Sequence, residues 1–168
     1  MRHILSAIIL IHMLFSPAWA AAREAPVPIK LDISQTVVKM PLAEGVSVDD
    51  ASQFLLSKAA ELNMKMVAQQ DVSKELNARG IKSGPLKIFQ FCNPEDAHKM
   101  VMANPIFAAY MPCRIALVQD AQGKVWLMML DLNILIDNAP LTPELKAMAE
   151  RINNNLLEIM KAGATASF

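Results

Sequence analysis

The chain is short of the residues from which most hydrolytic and metal-dependent sites are built. Its 168 residues include three histidines, at 3, 12 and 98, and the first two lie in an N-terminal segment that reads as removable. A single imidazole, His98, is then left, which argues against a zinc hydrolase or a His-based triad, both of which need a cluster. There are two cysteines, Cys92 and Cys113, one tyrosine and five glycines. No glycine-rich phosphate loop, Gly-x-Ser-x-Gly elbow or His-Glu-x-x-His motif occurs. Sixteen Lys and Arg balance sixteen Asp and Glu, without a basic run. That leaves no electrostatic footprint for nucleic acid or an anionic membrane surface.

The N-terminus is more informative. Arg2 and His3 form a basic tip, Ile4 to Phe15 an apolar core, Pro17 a break, and Ala18-Trp19-Ala20 a small-x-small motif. This is the three-part pattern of a secretory signal peptide, with the cut expected after Ala20. The apolar core falls short of the roughly 20 residues that span a bilayer. No cysteine follows the motif to carry a lipid, so no membrane anchor is expected after cleavage. The expected location is the periplasm. Taking 20 residues from 168 leaves 148, the size of one domain, and removing Arg2 leaves 15 basic against 16 acidic residues, a net charge of −1.

Residues 21–33 carry Pro26 and Pro28 without helical periodicity and read as an extended leader. A single domain is expected over 34–163, with 164–168 as a tail. The β-branched run around Thr36 to Met40 reads as a strand. A helix follows, with Ser47 and Asp50 as a capping box and Val48, Ala51, Leu55, Ala59 and Leu62 on its inner face. A second strand is expected with Met64, Met66 and Ala68 alternating against Lys65, Val67 and Gln69, then a short helix ended by Gly80. "GPLKIFQFC" reads as a third strand, and "NPEDAHKMVMA" as a helix capped by Asn93 with Pro94 in its first turn. After an apolar return between Pro105 and Pro112, two strands form a hairpin about Asp120 to Gly123. Val125 to Leu130 is apolar on both faces, so this strand is expected to be central, with helices on one side and something apolar on the other. Asp131 to Pro140 reads as irregular or briefly helical. The last helix is capped by Thr142, buries Leu145, Met148, Ile152, Leu156 and Ile159, and is expected to end before Gly163. Helices on one face of a largely antiparallel sheet make a two-layer α+β fold.

The chemistry concentrates at Cys92, which stands immediately before a helix start. Helix N-terminal amides lower a thiol's pKa and favour its thiolate, with Glu95 and Asp96 opposing the effect. A metal or haem reading also stands: His98 and Met102 are four apart on one helix, and ten methionines remain after the cut, the 12 of the chain less Met1 and Met13. Imidazole and thioether suit copper. Methionines at helical spacing are also ordinary core fillers. Asn93, Tyr110, Arg114 and Trp126 are candidate pocket residues, and Phe89 and Phe91 belong by type to either a pocket or a core.

The segments "VSVDDASQFLLSKAAELNMKMV" and "GPLKIFQFCNPEDAHKMVMANPIFAAYMPCRIALVQDAQGKVWLMML" resemble the bacterial family called domain of unknown function 302. The resemblance rests on the apolar strand ending in Cys-Asn-Pro, the Asn-Pro step at 104 and 105, Pro-Cys-Arg-Ile, and the glycine-turned hairpin, over roughly residues 34–132. It implies a fold like that of the TATA-box-binding protein and a homodimer. DNA binding does not follow from the fold. The implied antiparallel strands put Cys92 and Cys113 at one end of the sheet, within about 6 Å between Cα atoms, where a disulfide would form in an oxidising compartment. Closing that loop contributes about 3 kcal/mol. Function then reads as a non-enzymatic exported binding or accessory domain with a structural disulfide. The rival reading is a thiol-disulfide redox or sulfur-handling protein using the same pair, or a copper or haem carrier through His98 and Met102.

Overall fold

The computed structural model describes residues 32–168; the expected signal peptide, its cleavage site and nearly all of the expected leader lie outside the described residues. Asp32 caps a 3-10 turn at Ile33–Thr36, which delivers the chain into β1, Val37–Pro41. The capping box expected at Ser47 forms: its Oγ accepts from the Asp50 amide at 3.0 Å, and Asp50 Oδ2 accepts from the Ser47 amide at 3.3 Å. It starts α1, Val48–Glu61, which buries Ala51, Leu55 and Ala59. Then come β2, Lys65–Asp71; α2, Val72–Ala78; β3, Leu86–Cys92; and α3, Pro94–Ala103. A 3-10 turn at Pro105–Tyr110 leads into β4, Cys113–Gln119, and β5, Val125–Leu130. The ambiguous stretch after Asp131 contains α4, Asn133–Asn138, and the chain closes with α5, Pro143–Thr165.

The five strands form one antiparallel sheet in the order β1-β5-β4-β3-β2. Alternation sends Phe89, Phe91, Ile115, Leu117, Leu127 and Met129 to one face, where they pack against Ala51 and Leu55 of α1 and Leu156, Ile159 and Met160 of α5. This is the expected two-layer α+β arrangement, and β5 has strands on both sides. The opposite face carries Ile88, Ala116, Val118, Trp126 and Met128 in register and half-buried.

Three expectations need correction. The alternation expected in the second strand fails: Met64 is buried before the strand begins, the register shifts between Met66 and Ala68, and Met66 and Val67 are both exposed. An edge strand with a bulge has no single core face. The last helix does not stop before Gly163, and 164–168 is not a free tail. Gly163 and Ala164 are buried inside α5, Ala166 takes the left-handed cap position at φ 48°, and the Phe168 ring lies 5.1 Å from that of Phe54. Glycine is needed at 163 for close approach to α1, not for a turn. Finally, β2 lies at the edge and β4 at the centre, so the most apolar strand, β5, is second from the other edge.

Candidate functional site

Most of the residues singled out at the cysteine corner do meet. Phe91 faces Cys113 across the β3–β4 ladder, so Cys92 is one residue out of step with Cys113 at the same end of the sheet. A regular pleat would point such neighbours to opposite faces, but Cys92 is the last residue of β3 and Cys113 the first of β4, where the pleat ends. Both cysteines are free thiols in the structure, at the end of the sheet where the resemblance implies a disulfide. They share the lining of one small cavity of about 30 Å³ with Met64, Asp96, Met111 and Ile152.

The thiolate expected at Cys92 is not favoured. Burial pushes its pKa up, and the nearby Asp96 carboxylate pushes it further. Cys113 is pushed up to about 11, chiefly by burial and then by Cys92, with Arg114 pulling weakly the other way.

Asp96 itself is buried and committed. Its Oδ1 accepts from Arg151 Nη2 at 2.9 Å and its Oδ2 from Arg151 Nη1 at 3.1 Å, a fork that ties α3 to α5. Asn93 is committed too. Its Oδ1 accepts from the amides of Glu95 at 3.0 Å and Asp96 at 3.1 Å, while its Nδ2 donates to the Asn63 carbonyl at 3.2 Å. Asn93 is a cap and a tether to the α1–β2 corner, not a free pocket donor. Trp126 lies on the outer face away from these cavities. Its Nε1 donates to Asp120 Oδ2 at 2.6 Å, and the Lys39 and Lys124 ammoniums stand 3.7 and 4.5 Å from its ring centroid. That contact draws Asp120 below the usual carboxylate pKa. His98 and Met102 border none of the cavities described here, and Met102 is 70% exposed on α3. Among the described residues no group of three or more His, Cys, Asp and Glu side chains converges.

Two larger concavities adjoin the corner at Cys113. One, of about 90 Å³, is almost wholly apolar and lies among Met100, Phe107, Ile136, Ala149 and Ile152. The other, of about 380 Å³, lies where β4 and β5 part company. They pair only from Gln119↔Val125 to Ala116↔Met128, so Cys113 to Ile115 and Met129 to Leu130 run on without pairing to each other. Tyr110, Arg114, Ala116, Met128 and Leu130 line the opening, and Leu156 of α5 reaches it from the other layer. Cys113 borders all three spaces. Ligand sites for organic molecules fill about 300–1,000 Å³, a range that takes in the opening between β4 and β5 and also a concavity of about 540 Å³ among Leu56, Ala60, Asn63 and Met66, which lacks the arginine and tyrosine of the first.

Sequence reasoning placed Tyr110 and Arg114 together but missed Met64, Met111, Leu156 and the Asp96–Arg151 fork. Met111 stands two residues before Cys113, a short-range signal; nothing in the sequence joins Met64 or Arg151 to this corner.

A protein of Aquifex aeolicus (strain VF5) described as uncharacterized is 25% identical over 120 residues, covering 70% of this chain and 78% of that one. The crystal structure of an uncharacterized conserved DUF302 protein from Bacillus stearothermophilus superposes with a TM-score of 0.62 at 20% identity, covering 75% of this chain and 96% of that one, a likeness of fold. The family profile for the domain of unknown function DUF302 matches residues 38–163, which takes in all five strands apart from Val37 and both core helices α1 and α5 nearly to its end, and this chain belongs to that family.

Proposed function

We propose that this protein is an exported binding domain that takes a small molecule with an apolar body and an acidic head in the opening between β4 and β5. The observation that carries the reading is the early end of the β4–β5 ladder, which leaves about 380 Å³ lined mainly by apolar side chains. Arg114 supports the acidic head. Its Nε makes one long bond to the Pro112 carbonyl at 3.4 Å, and among the described residues its guanidinium makes no ion pair. Tyr110, 45% exposed, offers a hydroxyl at the same rim. The signal-peptide pattern at residues 1–20 supports export. Thiol exchange is a weaker reading, because burial raises the pKa of both thiols.

The probe is anilinonaphthalene sulfonate, an apolar fluorophore with an anionic head. Saturable binding of one probe per chain is expected, weakened in Arg114→Gln and abolished in Ala116→Trp, which fills the opening. Equal binding by all three proteins would sink the reading.

The outer face supports a homodimer. Its Ile88, Val118, Trp126 and Met128 present apolar surface, and a chain of net charge −1 after cleavage does not repel its own copy. Val118→Glu is expected to yield monomers by sedimentation; a monomeric parent protein at high concentration would refute self-association.

A further inference from the structure

We infer that Met64, Cys92, Met111 and Cys113 form a binding site for one soft monovalent metal ion, with Cu(I) as the biological case. Both cysteines of the chain and two of its methionines border one cavity, although they come from four places: the corner before β2, the end of β3, the segment before β4 and the first residue of β4. The cavity measures about 30 Å³. A single water needs about 10–15 Å³ by the same kind of measure, so the space suits one atom-sized guest and no organic ligand.

The other polar groups around it are already engaged. Asp96 spends both oxygens on Arg151, and Asn93 spends its amide on the α3 cap and the Asn63 carbonyl. Ala97 and Ile152 complete the lining and are apolar. Sulfur is therefore the only uncommitted side-chain donor among the lining residues. Thiolate and thioether ligands select Cu(I) over hard cations. Zinc and calcium sites need three or more hard or borderline ligands, which do not converge among the described residues. Met64, 2% exposed, is fixed in place by the core beneath.

On binding, the two thiols form two metal–sulfur bonds and release two protons to solvent. The ion enters and remains monovalent, so no electron is transferred and no oxidant is consumed. The thioethers of Met64 and Met111 add neutral donors. This assignment differs from the His98 and Met102 pairing, which lies elsewhere on α3.

The test is anaerobic titration of the reduced, cleaved protein with Cu(I) against a chromophoric Cu(I) chelator, with native mass spectrometry and Ag(I) as a redox-inert second probe. One ion per chain is expected for either metal. Cys92→Ser and Cys113→Ser should lose it, Met111→Leu should yield it to the chelator at lower chelator concentration, and His98→Ala and Met102→Leu should match the parent. Circular dichroism checks each variant, and Met111→Leu, which keeps size and polarity class, reads the site if a serine variant unfolds. An apo protein at excess metal, an ion retained by the double serine variant or by Met111→Leu at parental affinity, or loss on His98→Ala would overturn the inference. Ala116→Trp should keep the ion while losing the fluorophore, which separates failure here from failure of the ligand opening.

Discussion

Replacing Gly163 by alanine adds one methyl group where α5 meets α1. Two effects compete. Alanine is favoured over glycine inside a helix by about 1 kcal/mol. Against this, the new Cβ would stand 2.6 Å from Leu55 Cγ, 2.9 Å from Leu55 Cδ2 and 3.1 Å from the Ala51 carbonyl oxygen. Unstrained carbon contacts lie at about 3.5–4.0 Å. Relief is hard to find, because Cγ is the branch point of a fully buried leucine and the oxygen belongs to helix backbone. Overpacking of this kind costs about 1–3 kcal/mol, so the net expectation is a loss of about 1 kcal/mol. Urea denaturation should show a lower midpoint with an unchanged slope, and the melting temperature should fall by about 3–5 °C. The partner variant sharpens the test. Leu55→Ala alone should cost about 2–5 kcal/mol. In that background Gly163→Ala should become neutral or stabilising, because two of the three close atoms are gone and the propensity gain remains. A Gly163→Ala protein more stable than its parent, with no coupling to Leu55, would falsify the close packing of α1 on α5.

Asp120 supplies a pH-dependent readout, since Trp126 is the only tryptophan in residues 21–168. The indole bond lowers the folded-state pKa from 3.8, so the contact is complete above that value and is lost as pH falls through the depressed one. Trp126 emission should hold steady from neutral pH and change only below 3.8; a midpoint above it, or the same titration in Asp120→Asn, would contradict the assignment. Asn93→Ala should cost about 1 kcal/mol through the lost α3 cap, with Asn93→Asp restoring most of it in thermal unfolding. Arg151→Met leaves the Asp96 carboxylate buried without its fork and should cost about 1–3 kcal/mol, an amount discounted for the half-exposed arginine. Adding Asp96→Asn to Arg151→Met should recover part of that; a double variant no more stable than the single one counts against the buried-charge explanation.

The sequence revealed elements best where the signal was local. Ser47 with Asp50, Asn93 with Pro94, and Thr142 with Pro143 each place a side-chain acceptor beside the amides it caps, and each helix starts there. Gly80 and Gly123, at φ 76° and 83°, end a helix and a hairpin for the same local reason. Legibility failed where the deciding contact came from a distance. Gly163 looks like a helix stop until Leu55, over a hundred positions earlier, is laid against it. Cys92 looks like an activated thiol until burial is added to the charge of Asp96. The opening between β4 and β5 is invisible in the residues themselves, because Cys113 to Ile115 and Met129 to Leu130 have ordinary strand composition and simply do not pair with each other. Met64 joined the cysteine corner through the turn between α1 and β2, which no periodicity encodes.

The strand order also divides the domain by the distance the chain must travel to close it. From β2 to β5 the strands pair with their neighbours in sequence, apart from the helical excursion after Cys92, whereas β1 must find β5 across the span from Val37 to Leu130. Loop-closure entropy rises with that span, and non-local pairings form late and slowly. β1 is therefore an edge strand held by one neighbour and by the C-terminal helix beneath it, through contacts that include the Ala43 amide on the Ala164 carbonyl at 2.8 Å. Amide exchange should grade across the sheet, fastest along the two edges and slowest in β4 and the adjoining half of β3. When β1 peels away, it bares the outer side of β5, and the strand that refills the gap need not come from the same molecule.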